Sequence, residues 1–284
     1  RTRKNRQHRS CLMYIESKMC WKTLYCLITT GFFLGGVVDS NAEDMAEGIA
    51  VATSIQGSIQ IKDDESQISQ PRLHDTLNLN ACTVETGKNA HLFLALSNGM
   101  GIGIGENSSV RFEIFIQQPF NEKRASLSYE PSVSILSIRL IDGDLAVVSN
   151  NLSPLSEARV FLPTGELQVH SATCIIRYTD MAAQITAYAG LLTYKYPDRK
   201  HRELIVEPQS IRISAQSAML GEITESMTLS SQPKAVEEFA QATENASKRV
   251  FFKAGKDGDS PRPILIASPT YFDQPVIRPY DYPE

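Results

Sequence analysis

Between residues 49 and 213 apolar side chains recur at every second position, in short runs separated by turn residues. Side chains alternate across a β-strand, so a period of two buries one face and leaves the other in solvent. Residues 54–61 set Ile55, Ile59 and Ile61 on one face, and residues 91–96 gather Leu92, Leu94 and Leu96. Residues 110–116 set Val110, Phe112, Ile114 and Ile116 against Arg111 and Glu113. Residues 136–140 alternate and stop at Asp142-Gly143, and residues 184–190 and 210–214 repeat the pattern. Asn98-Gly99 and Asp142-Gly143 each predict a hairpin turn. Ten or more short strands with almost no helical periodicity describe an all-β domain over residues 49–214, a short-stranded twisted β-sandwich or a β-solenoid-like fold.

The pattern changes after Ser214. Val236, Phe239, Ala240 and, past a polar gap at Thr243, Ala246 and Val250 fall near helical intervals within residues 233–255. Acidic residues come early and Lys248-Arg249 late, the order that suits a helix dipole. Residues 215–260 therefore read as a helical segment and linker. Residues 261–284 hold six prolines and three tyrosines and read as a disordered tail.

Residues 1–42 read as an address. Seven of the 28 Lys+Arg lie in residues 1–22, residues 23–38 carry no charge, and Ser40-Asn41-Ala42 places small residues before a cut after Ala42. A basic region, a short apolar region and a small-x-small site describe a secretory signal peptide with a basic extension. The apolar run is shorter than the ~20 residues of a spanning helix and contains Gly31, Gly35 and Gly36. The alternative is an uncleaved single-span inner-membrane anchor. The expected location is periplasmic or secreted. Without residues 1–42 the chain has 21 basic and 30 acidic residues, a net charge of −9. Nucleic acid and anionic membrane surfaces are then poor partners, and membrane contact is expected only if the apolar segment is retained. Five cysteines become two, Cys82 and Cys174. In an oxidising compartment they are a candidate disulfide; two separate buried thiols are the alternative.

Glycines at 99, 101, 103 and 105 do not match a dinucleotide fingerprint, because positions 104 and 106 are Ile and Glu. Glycine at alternate strand positions instead predicts a flat face that another backbone approaches closely. His74, His91, His170 and His201 lack a second ligand at metal-binding spacing. Asp142-Gly143-Asp144 lacks the further oxygen ligands of a calcium loop and reads as a hairpin turn. No Gly-x-Ser-x-Gly elbow occurs. No catalytic, cofactor or metal residue is assigned, and a non-enzymatic role is expected.

Seven motifs follow one another in a recognisable order. They are residues 55–59 (IQGSI), 73–77 (LHDTL), 84–87 (VETG), 90–99 (AHLFLALSNG), 105–109 (GENSS), 141–145 (IDGDL) and 160–165 (VFLPTG). This order resembles the FecR domain over about residues 51–196, and the insert at 117–132 resembles a variant of exported stand-alone bacterial members. The resemblance implies an exported all-β module and marks Glu106, Asn107, Ser108, Pro163 and Gly165 as a turn or interaction motif. Residues 169–174 (VHSATC) lack the glycines of the family's turn there, and Asp75-Thr76 replaces its Gly-Asp pair. The longer FecR regulators place a cytoplasmic anti-sigma segment ahead of the membrane span. About 20 residues precede the apolar run here, so a stand-alone exported domain without that segment is expected.

Three functions remain at this stage. The leading one is a non-catalytic exported interaction module that binds a protein or envelope component, its edge strands taking another chain's strand. The second is the periplasmic sensor part of a surface-signalling, iron-uptake-type regulatory system. The third is an envelope polysaccharide-binding protein, with Phe115, Tyr178, Tyr188 and Tyr194 as candidate stacking aromatics; core or cross-strand packing is their other reading.

Overall fold

The computed structural model describes residues 45–119, 130–149, 152–229, 233–253 and 261–266. In chain order the strands are β1 (Ala46–Glu47), β2 (Ala50–Gln56), β3 (Ile59–Lys62), β4 (Ile68–Ser69), β5 (Thr76–Leu77), β6 (Cys82–Thr86), β7 (His91–Leu96), β8 (Gly101–Ile104) and β9 (Ser109–Gln117). There follow β10 (Ser134–Ser149), β11 (Glu157–Leu162), β12 (Gly165–Thr179), β13 (Ala182–Lys195), β14 (Arg202–Val206) and β15 (Gln209–Ser214). The short helix α1 (Ala215–Leu220), β16 (Glu225–Thr228), helix α2 (Lys234–Ser247), β17 (Val250–Lys253) and β18 (Arg262–Ile266) complete it. The fold is all-β. Strands β1 to β16 join in one open, mixed sheet, and β17 pairs with β18 alone.

Three long strands organise the sheet by changing partners along their length. The first half of β10 pairs with β9 and, in parallel, with β11; its second half pairs with β8 and β12. Strand β12 pairs with β11 before a bulge between Val169 and Ser171, and with β10 after it. Strand β13 pairs with β15 through residues 182–187 and with β14 through residues 191–195. Bulges and left-handed glycines let one strand serve two layers by turning a corner. Gly143 has φ 92° and Gly190 φ 80°. A Cβ on Gly190 would stand 1.8 Å from the Ser171 carbonyl oxygen, so no side chain fits there. The main apolar core among the described residues includes Leu92, Leu94, Ile104, Phe112, Ile138 and Ile185, with smaller clusters about Val51 and Ala146.

Several expectations are corrected by the register. Asp142-Gly143 is not a hairpin turn, because β10 runs through it. Gly143 bends the strand while the ladder continues, with one register shift between Leu140 and Asp142. Residues 54–61 are two strands, broken at Gly57 with φ 74°. In β9 the pairing steps from Ile138↔Phe112 to Ser137↔Ile114, which leaves Glu113 as an extra residue. The bulge flips every later side chain. Phe115 and Gln117 are therefore buried, and Ile114 faces out.

The segment after the sheet also departs from its expected bounds. Helix α2 stops at Ser247, and Val250 lies in β17 rather than on the helix. Residues 262–266, expected within the disordered tail, form β18 against β17. Strand β16, expected within the helical segment, extends the sheet beside β15. The expected signal peptide and its cut after Ala42, the linker at 256–260 and the tail beyond Ile266 lie outside the described residues. Among the described residues no helix is long and apolar enough to cross a membrane.

Alternate glycines in β8 receive α2. A Cβ on Gly101 would lie 2.6 Å from the Thr243 carbonyl oxygen, and one on Gly103 would lie 2.3 Å from the Thr243 hydroxyl. Thr243 is wholly buried, and its hydroxyl donates to the Phe239 carbonyl at 2.9 Å. Phe239 meets Phe93 with ring centroids 5.6 Å apart, and Ala240 packs with Ala146 and Ile175. The expected flat glycine face is thus occupied by a helix. Gly103→Val should push α2 off the sheet and lower stability by about 1–3 kcal/mol, the usual range for overpacking. Chemical denaturation combined with amide exchange in residues 234–247 checks this; an unchanged midpoint with unchanged protection would contradict the packing.

Candidate functional site

The residues marked at the sequence level fall at two turns and in two interior positions. Glu106, Asn107 and Ser108 form the corner between β8 and β9, with Asn107 at φ 49°. Side chains replace the ladder there. The Thr86 hydroxyl donates to the Gly105 carbonyl at 2.5 Å and accepts the Ser108 N–H at 2.9 Å. A Glu106 carboxylate oxygen accepts the Asn89 N–H at 2.7 Å. The Ser108 hydroxyl donates to the Glu106 carbonyl at 3.0 Å and accepts the Asp144 N–H at 2.9 Å. Ser108 also fills the space beside Gly143, where a Cβ would come within 2.2 Å of its hydroxyl oxygen. Asp144 then takes Arg177 in a two-pronged pair at 2.7 and 2.8 Å. Three separate motifs, at 86–87, 105–108 and 142–144, therefore meet at one corner.

Pro163 and Gly165 flank the turn from β11 to β12. A Cβ on Gly165 would stand 2.5 Å from the Lys195 carbonyl oxygen and 2.6 Å from the Tyr194 hydroxyl oxygen. Only a bare Cα lets the turn lie on β13. Burial pushes the Tyr194 hydroxyl well above the ordinary tyrosine range, with the Thr164 hydroxyl beside it pulling the other way. Tyr194 and Phe115 are core residues, which settles those two aromatics as packing. Tyr178 and Tyr188 are half-buried.

Cys82 and Cys174 are both free and buried, which corrects the disulfide expectation. Cys82 lies on β6 opposite Phe112, while Cys174 lies on β12 between Val147 and Ala187. Strands β9 and β10 stand between them in the sheet. The Cys82 thiol contacts the Asn80 carbonyl at 3.4 Å, and burial followed by Asp63 and Asp64 raises its pKa. Burial, opposed by a backbone hydrogen bond with Val147, pushes the Cys174 thiol up to about 12 from an ordinary 9.0.

Among the described residues, two clefts lie near the marked positions. One of about 320 Å³ lies among Ile61, Asp63, Gln67, Ser69, Asn78 and Cys82. The other, of about 210 Å³, lies beside α2 among His91, Glu106, Asp144, Arg177, Val236 and Phe239. In the second, Glu106 belongs to the corner and Asp144 pairs with Arg177; in the first, Asp63 accepts the Gln67 N–H and the Asn78 amide donates to Glu47. Among the described residues no three His, Cys, Asp or Glu side chains converge in a metal-holding group.

The feature with an unmet demand is an edge of the sheet. Within the large sheet five strands have one partner each among the described residues: β1, β4, β5, β14 and β16. The first three of these are two residues long, and β16 exposes Glu225 and Ser226. Short, charged edges discourage pairing. Strand β14 is different. Leu204 is 57% and Val206 46% exposed, and Leu191, opposite Val206 on β13, is 37% exposed. Ile205 points the other way and is wholly buried, which anchors the strand.

A tight turn positions β14. One Asp198 carboxylate oxygen accepts the Lys200 N–H at 3.0 Å and the His201 N–H at 3.1 Å, and the other pairs with the His201 ring. These bonds, the His201 backbone first, hold the Asp198 carboxyl below its usual range. At the far end a Glu207 carboxylate oxygen accepts the Gly190 N–H at 2.5 Å. The strand is held at both ends and, among the described residues, has no partner along one side. Sequence reasoning passed over residues 202–206; the signal was a short apolar run, Leu204-Ile205-Val206, between Arg202-Glu203 and Glu207-Pro208.

No family model matches the chain, and no curated protein does. The solved structures that resemble it include two crystal structures of a candidate anti-sigma factor from Parabacteroides distasonis, at 1.65 and 2.50 Å resolution. They are 12% and 11% identical to this chain, each with a TM-score of 0.38. Each match covers 51% of this chain and 59% of the other, so this chain spans less than two thirds of that protein's length. A likeness of that size carries no argument for function.

Two outcomes follow from this geometry. Ser108→Ala strands the Asp144 N–H and should cost about 1–3 kcal/mol, the range for an unmet buried donor; urea unfolding measures it, and a change under ~0.3 kcal/mol would show that the corner does not depend on the hydroxyl. The Cys174 thiol keeps its proton in the folded chain after the unfolded chain has lost it. Stability is therefore insensitive to this group below pH 9 and falls from pH 9 towards the folded value of about 12. The slope of unfolding free energy against pH above 9 should be shallower in Cys174→Ala than in the parent chain; equal slopes would contradict the assignment.

Proposed function

We propose that the chain is an exported, FecR-like interaction module, without catalysis of its own, which docks a protein or envelope component through the open edge of β14. The observation that carries this reading is a five-residue edge strand that is anchored by Ile205 and presents Leu204 and Val206 to solvent. Such an edge offers unpaired backbone groups together with an apolar strip, the two elements of strand addition. The order of the FecR-like motifs and the basic-then-apolar residues 1–42 support the exported setting.

A photoreactive residue at position 204, in the chain expressed in its native envelope, should give a discrete cross-linked band. The band should vanish when Val206→Lys is added, while the far-UV spectrum stays that of the parent. A probe at position 212, on the same sheet but in the paired strand β15, should give none. Absence of the band at 204, or equal bands at 204 and 212, would overturn the docking edge.

A further inference from the structure

We infer that the strand added to β14 is β14 of a second copy of this chain, paired antiparallel about Leu204. This rests on the reading of β14 as the docking edge and names its occupant.

The ladder with β13 fixes which backbone groups are open. The Tyr196 N–H donates to the His201 carbonyl at 3.2 Å, and the Glu207 N–H donates to the Gly190 carbonyl at 3.3 Å. Hydrogen-bonded pairs alternate along an antiparallel ladder, so residues 201, 203, 205 and 207 turn their backbone groups towards β13. Arg202, Leu204 and Val206 turn theirs away, to the side where no strand lies among the described residues. A second strand can bond only to those three.

Self-pairing about a two-fold axis has few solutions in so short a strand. Centred on Leu204, all three open residues meet open residues: Leu204 faces Leu204, and Arg202 faces Val206 in both directions. That register forms about six backbone hydrogen bonds. Centring on Arg202 or Val206 leaves most open groups unmet.

The side chains agree with the same register. Arg199, Lys200 and Arg202 lie at the start of the strand and Glu207 at its end. Antiparallel pairing brings each basic end to the other copy's Glu207, with His201 directly opposite it. Opposite charges across a ladder are favourable and like charges are not. A parallel pairing would stack the basic ends on each other. On the outer face Leu204 meets its own copy at the centre, flanked by Val206 and Leu191 from each side. The strip is small beside the ~1,200–2,000 Å² of a standard stable interface, so the dimer is expected to be concentration-dependent.

Directly opposed residues in a hydrogen-bonded pair stand about 5.5 Å apart at Cα, within the span of a disulfide. Leu204→Cys in the full chain should therefore form a disulfide-linked homodimer under mild oxidation. Its rate should be at least tenfold that of Met219→Cys, whose side chain is more exposed. The parent chain carrying Cys11→Ser, Cys20→Ser and Cys26→Ser, the background for both cysteine variants, keeps only the buried Cys82 and Cys174 and should not cross-link. Leu204→Lys should raise the dissociation constant for self-association at least tenfold in sedimentation equilibrium. Equal cross-linking of the two cysteine variants, or self-association unchanged by Leu204→Lys, would overturn the second copy as occupant. The mass of the photo-adduct at position 204 in the envelope separates the two proposals. Twice the chain mass supports both, any other mass keeps the docking edge and removes the second copy, and no adduct removes both.

Discussion

Ser108 seated against Gly143 is the contact on which the architecture turns. It occupies the space a side chain at position 143 would need and accepts the N–H of Asp144, so β10 bends there and remains paired. The bend passes β10 from β9 and β11 to β8 and β12. Strands β12 and β13 follow it round the corner through a bulge and through Gly190. A strand that turns a corner adds burial on both arms of the sheet, which is how strands of modest apolar content enclose one core. Thr86, Glu106 and Asp144 keep the corner dry of unmet polar groups.

The same bend explains why one edge is left open. Strand β13 exceeds the length of any partner on its outer side, so that side is filled by two strands in succession, β14 and β15. Strand β15 is covered in turn by β16. The chain then leaves to form α2, which lies over the glycines of β8 on another part of the sheet. Nothing among the described residues returns to cover β14. The exposed Leu204 and Val206 are what that topology leaves over, and the proposed binding role would turn such an edge from an aggregation hazard into a docking surface.

Much of this fold was legible because strand periodicity survives where pairing is regular. Leu92, Leu94 and Leu96, or Ile211 and Ile213, alternate in sequence and are buried in the structure. The alternate glycines of β8 predicted a close backbone approach, and α2 provides it. Legibility ends where the backbone departs from the ladder. One extra residue at Glu113 sends Ile114 outward and Phe115 inward, and no local signal distinguishes that bulge from plain alternation. Asp142-Gly143 has the composition of a hairpin turn, yet the same left-handed glycine serves as a bend when another element fills the space beside it. Thr243 reads as a break in an apolar stripe because a helix that rests on glycines needs a small residue there rather than an apolar one. The candidate edge was hidden for a different reason: whether a strand lies at an edge is a property of sheet order, which the residues of the strand do not encode.

Amide hydrogen exchange resolved along β14 in dilute solution tests the central claim most directly. An open edge predicts alternation, with the amides of Glu203 and Ile205 protected by β13 and those of Leu204 and Val206 exchanging at least tenfold faster. Uniform protection across residues 202–206 would mean that the edge is already covered within the monomer, and the account would fail.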